Sequence, residues 1–116
     1  MIPEILIDWS ELNSEEAFYK SVLEQLGAPA WHGHNLDALW DSVGVGQING
    51  VEPPYRIVMR GVRHVPEGLV EFVRRVAMVF LDAAMARDGI EVKFGEPLAT
   101  ERDAPANRTV APRKKR

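Results

Sequence analysis

The stretch YRIVMRGVRHVPEGLVEFVRRVAMVFLDAAMARDGIEVKF, residues 55–94, contains two strand-like segments separated by a long helical pattern. Its first part, YRIVMRGV, alternates in polarity and is rich in β-branched side chains, as strands are. The spacing predicts a helix from Pro66 to Gly89 and another strand, IEVKF, at 90–94. The apolar residues of the helix recur at the spacing of a buried face: Leu69, Val73, Val76, Phe80, Ala83 and Ala84. A strand–helix–strand order predicts parallel strands joined by a right-handed crossover.

The amino-terminal part of the chain begins with a strand pattern followed by a helix pattern. EILIDW at residues 4–9 is short, apolar and branched, which is typical of a buried strand. The helix after it is predicted to have Asn13 as its N-cap, with Glu16 completing a capping box, and to end at Gly27 and Pro29. Its apolar stripe comprises Ala17, Phe18, Ser21, Val22 and Leu26. We therefore predict an α/β fold in which helices pack on a small three-stranded parallel sheet.

Between these halves lies WHGHNLDALWDSV, residues 31–43, which has the pattern of a short helix. Asn35 is a good N-cap, and Asp37 then falls in the first turn, where a carboxylate interacts favourably with the helix dipole. The face predicted to turn toward the core comprises Leu36, Leu39, Trp40 and Val43. Gly44 and Gly46 are expected to end the helix.

Two carboxylates, Asp37 and Asp41, stand one helical turn apart in this segment, a spacing at which like charges repel. One interpretation is a solvated helix face. Another groups them with His32 and His34 as a metal site or as the acid–base pair of a hydrolytic protein. No nucleophile motif, phosphate loop or cofactor fingerprint accompanies them, so we expect no enzyme activity, metal or cofactor. Trp31 is predicted to be partly exposed, as an aromatic interface anchor would be.

The overall composition bounds the remaining possibilities. A chain of 116 residues, 46% of them hydrophobic, fits one domain with a modest core. The chain contains no cysteine, and its first residues include neither a basic leader nor a long apolar run. We therefore expect a soluble, cytoplasmic protein without a membrane segment.

The carboxyl-terminal segment differs in charge from the rest of the chain. Six basic and two acidic side chains give residues 97–116 a net charge of +4, which leaves −7 for residues 1–96. Because the segment lacks an apolar period and contains three prolines, we predict a domain at 1–96 and a flexible basic tail at 97–116. Its RKKR end is either a solvated charge run or a nucleic-acid contact, and the acidic domain favours a cationic partner.

WHGHNLDALWDSV closely resembles the signature of the barstar family, intracellular inhibitors of extracellular ribonucleases of the barnase type. The residues from Asn35 to Asp41 match without interruption, EILIDW resembles the family's first strand, and the apolar pattern of 54–92 follows without a gap. The resemblance implies a three-stranded parallel sheet covered by helices, in agreement with the order of elements above. It also implies an immunity protein that plugs a basic ribonuclease with acids in place of RNA phosphates. Such a protein is a monomer that forms a 1:1 complex and makes no direct nucleic-acid contact.

By this resemblance, the partner-binding face comprises the second helix, the loop before it and one position of the last helix. Asp41 is the central acid of the contact, Asp37 is the second, and Asp82 faces the same partner from the last helix. The other implied contact residues are Trp31, His32, Gly33, His34, Asn35, Leu36, Trp40 and Gly44. A cationic pocket would relieve the repulsion between Asp37 and Asp41 through charge-assisted hydrogen bonds.

Several positions depart from the family pattern. Trp31 and His32 replace an aromatic pair, and His34 stands where the family has a glutamate, so the face is less acidic. The loop after the second helix is longer by roughly four residues, and Gly46 lies near the position of a family tryptophan. Asp82 is shorter than the glutamate it replaces. The implied partner is therefore a barnase-type nuclease and need not be barnase itself.

Overall fold

Strands and helices alternate along the chain in the computed structural model, which describes residues 2–95. The strands are β1 (Glu4–Asp8), β2 (Tyr55–Arg60) and β3 (Ile90–Gly95), and the helices are α1 (Glu15–Leu26), α2 (Leu36–Trp40) and α3 (Val70–Ala86). A π-helical segment, Asp41–Val45, continues α2, and two short 3₁₀ turns, Val62–His64 and Glu67–Leu69, precede α3. The tail predicted at 97–116 lies outside the described residues.

The three strands form one parallel sheet in the order β1–β2–β3, which confirms the predicted fold class. Ile57 of β2 lies opposite Ile5 on one side and Val92 on the other. Alternate strand residues are buried on one face: Ile5, Ile7, Tyr55, Ile57, Met59 and Ile90. Of the intervening residues, Glu4, Leu6, Glu91 and Lys93 are exposed, and those of β2 are half-buried. The helices therefore cover one face of the sheet, and the other faces solvent.

An aromatic cluster joins β1, α1 and α3 at the centre of the core. Trp9 stacks on Phe18 with ring centroids 5.3 Å apart, and Phe72 meets both rings edge-on at 6.2 and 5.5 Å. Such stacked and edge-to-face arrangements add to the free energy of area burial. The cluster joins the first and last helices to the sheet, and α2 packs against α3.

The predicted capping box of α1 is wrong by one residue. Ser14 is the N-cap, with extended backbone, and its Oγ accepts a hydrogen bond from the Ala17 N–H at 3.0 Å. The buried residues of α1 are Phe18, Tyr19, Val22, Leu23 and Leu26, so the predicted Ala17 and Ser21 lie at its partly buried margin. The helix ends at the predicted Gly27. Asn13 and Ser14 are both residue types that favour the N-cap position, so residue type does not distinguish them. The position of the apolar face does.

The predicted face of α3 is confirmed, whereas its ends are not. Val73, Val76, Phe80 and Ala83 are buried, and Leu69 and Ala84 pack at the edge of the core. Pro66 opens a 3₁₀ turn instead of the helix, and Gly89 lies in the turn after it. Within residues 2–95, no helix is both long and apolar enough to cross a membrane.

Candidate protein-binding face

The helix formed by α2 and its π-helical continuation has two contrasting faces. Leu39 and Val43 are fully buried against the core, with no accessible surface. Asp37 and Asp41 are exposed on the other side. Among residues 2–95, neither carboxylate has a hydrogen-bonding or ion-pairing partner. Two unneutralised acids therefore stand on one rigid, well-anchored helix.

The start of this helix is fixed by a side-chain cap, as predicted. Asn35 has extended backbone angles, and its Oδ1 accepts a hydrogen bond from the Ala38 N–H at 2.8 Å. Its carbonyl accepts the Leu39 N–H at 3.0 Å. Because these bonds set the first turn, the direction in which Asp37 projects is set before any partner arrives.

The loop before α2 places its two bulky residues in opposite environments. Trp31 is 75% exposed, so the prediction of partial exposure is confirmed. His32 is buried, its N–H donates to the Pro29 carbonyl at 3.0 Å, and its Nδ1 lies 2.7 Å from the carbonyl oxygen of the half-buried Gly33. Trp31 is thus available for contact, whereas His32 supports the loop from beneath.

His34 attaches the loop to α1. Its Nδ1 lies 2.7 Å from Glu16 Oε2, and its ring stacks on Tyr19 with centroids 5.8 Å apart. Burial, with the neighbouring Glu15 carboxylate, raises the pKa of the Tyr19 hydroxyl to about 12. Tyr19 and His34 line one wall of a cleft of about 330 Å³ beside the acidic helix, and Arg75 of α3 lines another.

Of the two glycines predicted to end the helix, Gly46 does so and Gly44 does not. Gly44 lies within the π-helical segment, where an added Cβ would be only 2.4 Å from the Trp40 ring. The partly buried Trp40 therefore occupies the space that a side chain at Gly44 would need, and Gly44 is itself buried. The helix ends at Gly46, whose φ of +98° lies in the region that favours glycine.

A half-buried arginine holds this end of the helix in place. Arg87, just after α3, donates from Nη1 to the Val43 carbonyl at 2.9 Å and from Nη2 to Glu52 Oε1 at 2.7 Å. The other carboxylate oxygen of Glu52 accepts the Gln47 N–H at 3.1 Å. An added Cβ at Gly46 would lie 2.6 Å from the guanidinium, so the loop closes tightly over it. Arg87 thus ties the long loop after α2 to α3.

Asp82 lies on the exposed surface of α3. The helix packs against α2 and its π-helical continuation, and Phe72 and Arg75 turn toward the cleft beside His34. Asp82 follows Arg75 by two turns and therefore lies toward the same flank. The structure thus gives Asp82 a solvent-exposed position on the Arg75 side of α3.

The fold and site were compared with known proteins. The family model for Barstar, the barnase inhibitor, matches residues 2–95. The chain belongs to the barstar family. No protein in the curated set matches the sequence. The family assignment made from the Asn35–Asp41 signature is thereby confirmed, and the parallel sheet agrees with it.

The metal alternative finds no support in this barstar-family structure. The described part of the chain holds no group of three or more histidine, cysteine, aspartate or glutamate side chains able to bind a metal ion. His32 and His34 are directed to Gly33 and Glu16 respectively, while the two aspartates face solvent. The four residues share a segment of sequence but not a site.

Sequence reasoning missed two supports of the face. The His34–Glu16–Tyr19 contact joins a loop to a helix, and the Arg87–Glu52 pair joins residues 35 positions apart. Each partner, taken alone, looks like an ordinary surface residue. A charged residue directly after a helix and a glutamate before two prolines are weak signals, so neither pair was predicted.

Proposed function

We propose that this barstar-family protein inhibits a basic ribonuclease of the barnase type by occupying its active site with carboxylates in place of RNA phosphates. One observation carries the proposal. Asp37 and Asp41 are exposed on a rigid helix, and no cation among residues 2–95 neutralises either of them. The pairing of these two charges does not stabilise the fold, because like charges at this spacing repel. A cationic partner would gain from it.

The charge of the partner follows from the chemistry of its substrate. A ribonuclease must surround the RNA phosphates with arginine, lysine or histidine side chains. Carboxylates entering that pocket receive charge-assisted hydrogen bonds, and the mutual repulsion of Asp37 and Asp41 is relieved. Since the Asn35 cap already fixes the helix, little ordering is needed on binding.

The predicted contact residues have different roles in this proposal. Asp41 is the centre of the contact, Trp31 is an aromatic anchor beside it, and Asp82 is a charge on the rim. His34 lies at the edge next to the cleft. The residues that shape the face from within or beside it are His32, Gly33, Asn35, Leu36, Trp40 and Gly44.

The cellular role proposed is protection from a ribonuclease made for export or as a toxin. We place the protein in the cytoplasm, where a chain without cysteine needs no oxidation. It acts by binding, as a non-catalytic immunity protein that engages one nuclease per chain. It requires no cofactor and contacts no nucleic acid directly.

Inhibition of RNA cleavage by barnase, or by a nuclease encoded next to the protein's own gene, tests this proposal. Titration with the wild-type protein should give stoichiometric inhibition. Asp41→Ala should weaken inhibition about thirtyfold or more, as expected of a central contact that costs about 2 kcal/mol or more. Asp82→Ala should have a much smaller effect, because a rim charge remains solvated.

Asp88→Ala is the matched control, since it removes an exposed aspartate in the turn before β3. It should inhibit like the wild type. Full nuclease activity in the presence of excess wild-type protein, for every barnase-type enzyme tried, would refute the proposal. Equal losses for Asp41→Ala and Asp88→Ala would show that net charge, and not the helix face, is responsible.

A further inference from the structure

The two edges of the sheet differ in the hydrogen bonding of their outer backbone groups. At the β1 edge, the Gln25 side chain takes the place of a neighbouring strand. Its Oε1 accepts the Leu6 N–H at 2.7 Å, and its Nε2 donates to the Leu6 carbonyl at 2.8 Å. A side-chain amide thus occupies the hydrogen-bonding groups that would otherwise pair with another chain.

The β3 edge has no such cover within the described residues. β3 forms backbone hydrogen bonds with β2 on one side, and no group in residues 2–95 bonds to its outer side. Phe94, on the same side of the strand as the buried Ile90, remains 55% exposed. An uncovered strand edge with an exposed aromatic side chain is a surface for strand pairing.

We propose that the β3 edge binds the β3 edge of a second copy of this chain, in antiparallel orientation about a two-fold axis at Val92. The order of charges along the strand favours this pairing. In this register Glu91 lies opposite Lys93 of the second copy, and Lys93 lies opposite Glu91 of the second copy. Ile90 then lies opposite Phe94 of the second copy.

The neighbouring registers place like charges opposite each other. A two-fold axis normal to the sheet must pass through a residue that faces its own copy, because opposite residues project to the same side. An axis at Glu91 sets two carboxylates against each other, and an axis at Lys93 sets two ammonium groups together. Only the Val92 register within this strand places opposite charges across the contact.

The exposed sheet face continues this charge pattern. Glu4, Arg56 and Glu91 are neighbours across the three strands, and the Arg56 guanidinium bonds to both carboxylates, at 3.1 and 2.9 Å. Lys93 of the second copy would be the next member of this row. The row would then alternate negative, positive, negative, positive across four strands.

The outer flank of α3 supplies apolar surface beside the same edge. Ala77, Leu81 and Ala84 follow at three- and four-residue spacing on the flank opposite to Arg75, which faces the cleft. Leu81 is 38% exposed, whereas Ala77 and Ala84 pack at the edge of the core. Because the two-fold axis keeps both helical layers on one side of the joined sheet, the two Leu81 flanks would approach each other.

The proposed dimer differs from the monomer predicted from the sequence. It leaves the acidic helix free, since Asp37 and Asp41 lie on α2 and its continuation and not at β3. Each copy could still engage one nuclease. The inference therefore does not depend on the proposed function.

Sedimentation equilibrium of the full chain over a wide concentration range is the test. The wild type should approach twice its mass of 13.0 kDa at high concentration. Lys93→Glu and Glu91→Lys each place like charges across the contact, and each should weaken dimerisation about tenfold or more. An equimolar mixture of the two variants should restore it, because glutamates at 91 and 93 then face lysines at both positions.

Lys20→Glu is the matched control, since it reverses an exposed charge on α1, and it should dimerise like the wild type. Far-UV circular dichroism of each variant checks that the fold is retained. Recovery of dimerisation in the mixture would show that the single variants fail because of like charges across the contact. Loss of the Arg56–Glu91 ion pair would not be reversed by mixing. A wild type that stays monomeric throughout would overturn the inference. So would variants that dimerise normally, or a mixture that remains monomeric.

Discussion

The inward and outward faces of the Leu36–Val45 helix differ in burial and in their effect on stability. On the inward face, Leu39 and Val43 have no accessible surface, so every apolar atom is removed from water. On the outward face, Asp37 and Asp41 are exposed and unpaired within residues 2–95. The first face stabilises the fold, and the second slightly opposes it. A single short helix therefore separates the residues needed for folding from those proposed for binding.

Truncation of one residue on each face tests the difference between the two faces most directly. Leu39→Ala should lower the free energy of unfolding by about 2–5 kcal/mol, since it leaves a cavity in the core. Asp37→Ala should change it by less than about 0.5 kcal/mol, because an exposed side chain without partners is lost. Urea unfolding of both variants measures the difference. Comparable losses would show that the outward face also supports the fold.

The boundary between the faces is tested at Gly44. Gly44→Ala places a methyl group against the Trp40 ring and should destabilise the protein by about 1–3 kcal/mol, with a shift in tryptophan fluorescence as the ring moves. Gly68→Ala is the control, because an added Cβ there has open space within 4 Å. Thermal unfolding should separate the two variants. Equal stability of both would mean that the end of the helix adapts freely.

The smallest effect is expected from an exposed ion pair on α3. Hydrogen bonds from Arg74 and Arg75 lower the pKa of Glu71 from 4.5 to about 2. A lowered folded-state pKa contributes stability above pH ~4.5 that is lost as the pH falls toward 2. Solvent screening keeps this contribution small. Glu71→Gln should therefore be slightly less stable than the wild type at neutral pH, and the difference should close in acid. A constant difference across that range, measured by urea unfolding, would rule out this origin.

Periodicity was sufficient to predict most of the fold. All three strands, the Asn35 cap and the buried face of α3 follow from local patterns, and the structure confirms them. Errors occur where two local solutions are almost equal in free energy. Ser14 replaces Asn13 as a cap, and the helix after Asn35 passes through Gly44 as a π-helix. Packing decided both, since the cap must suit the apolar face and Trp40 fills the space beside Gly44.

By itself, the amino-acid sequence determined the order of elements, the family and the acidic pair one helical turn apart. These properties depend on residue type and short-range spacing, which the chain carries before it folds. Only the tertiary structure decided that His34 joins α1, that Arg87 anchors the loop after α2, and that Gln25 closes one sheet edge. Each of these contacts joins residues distant in the chain. Their free energy depends on geometry that exists only once the helices have packed on the sheet.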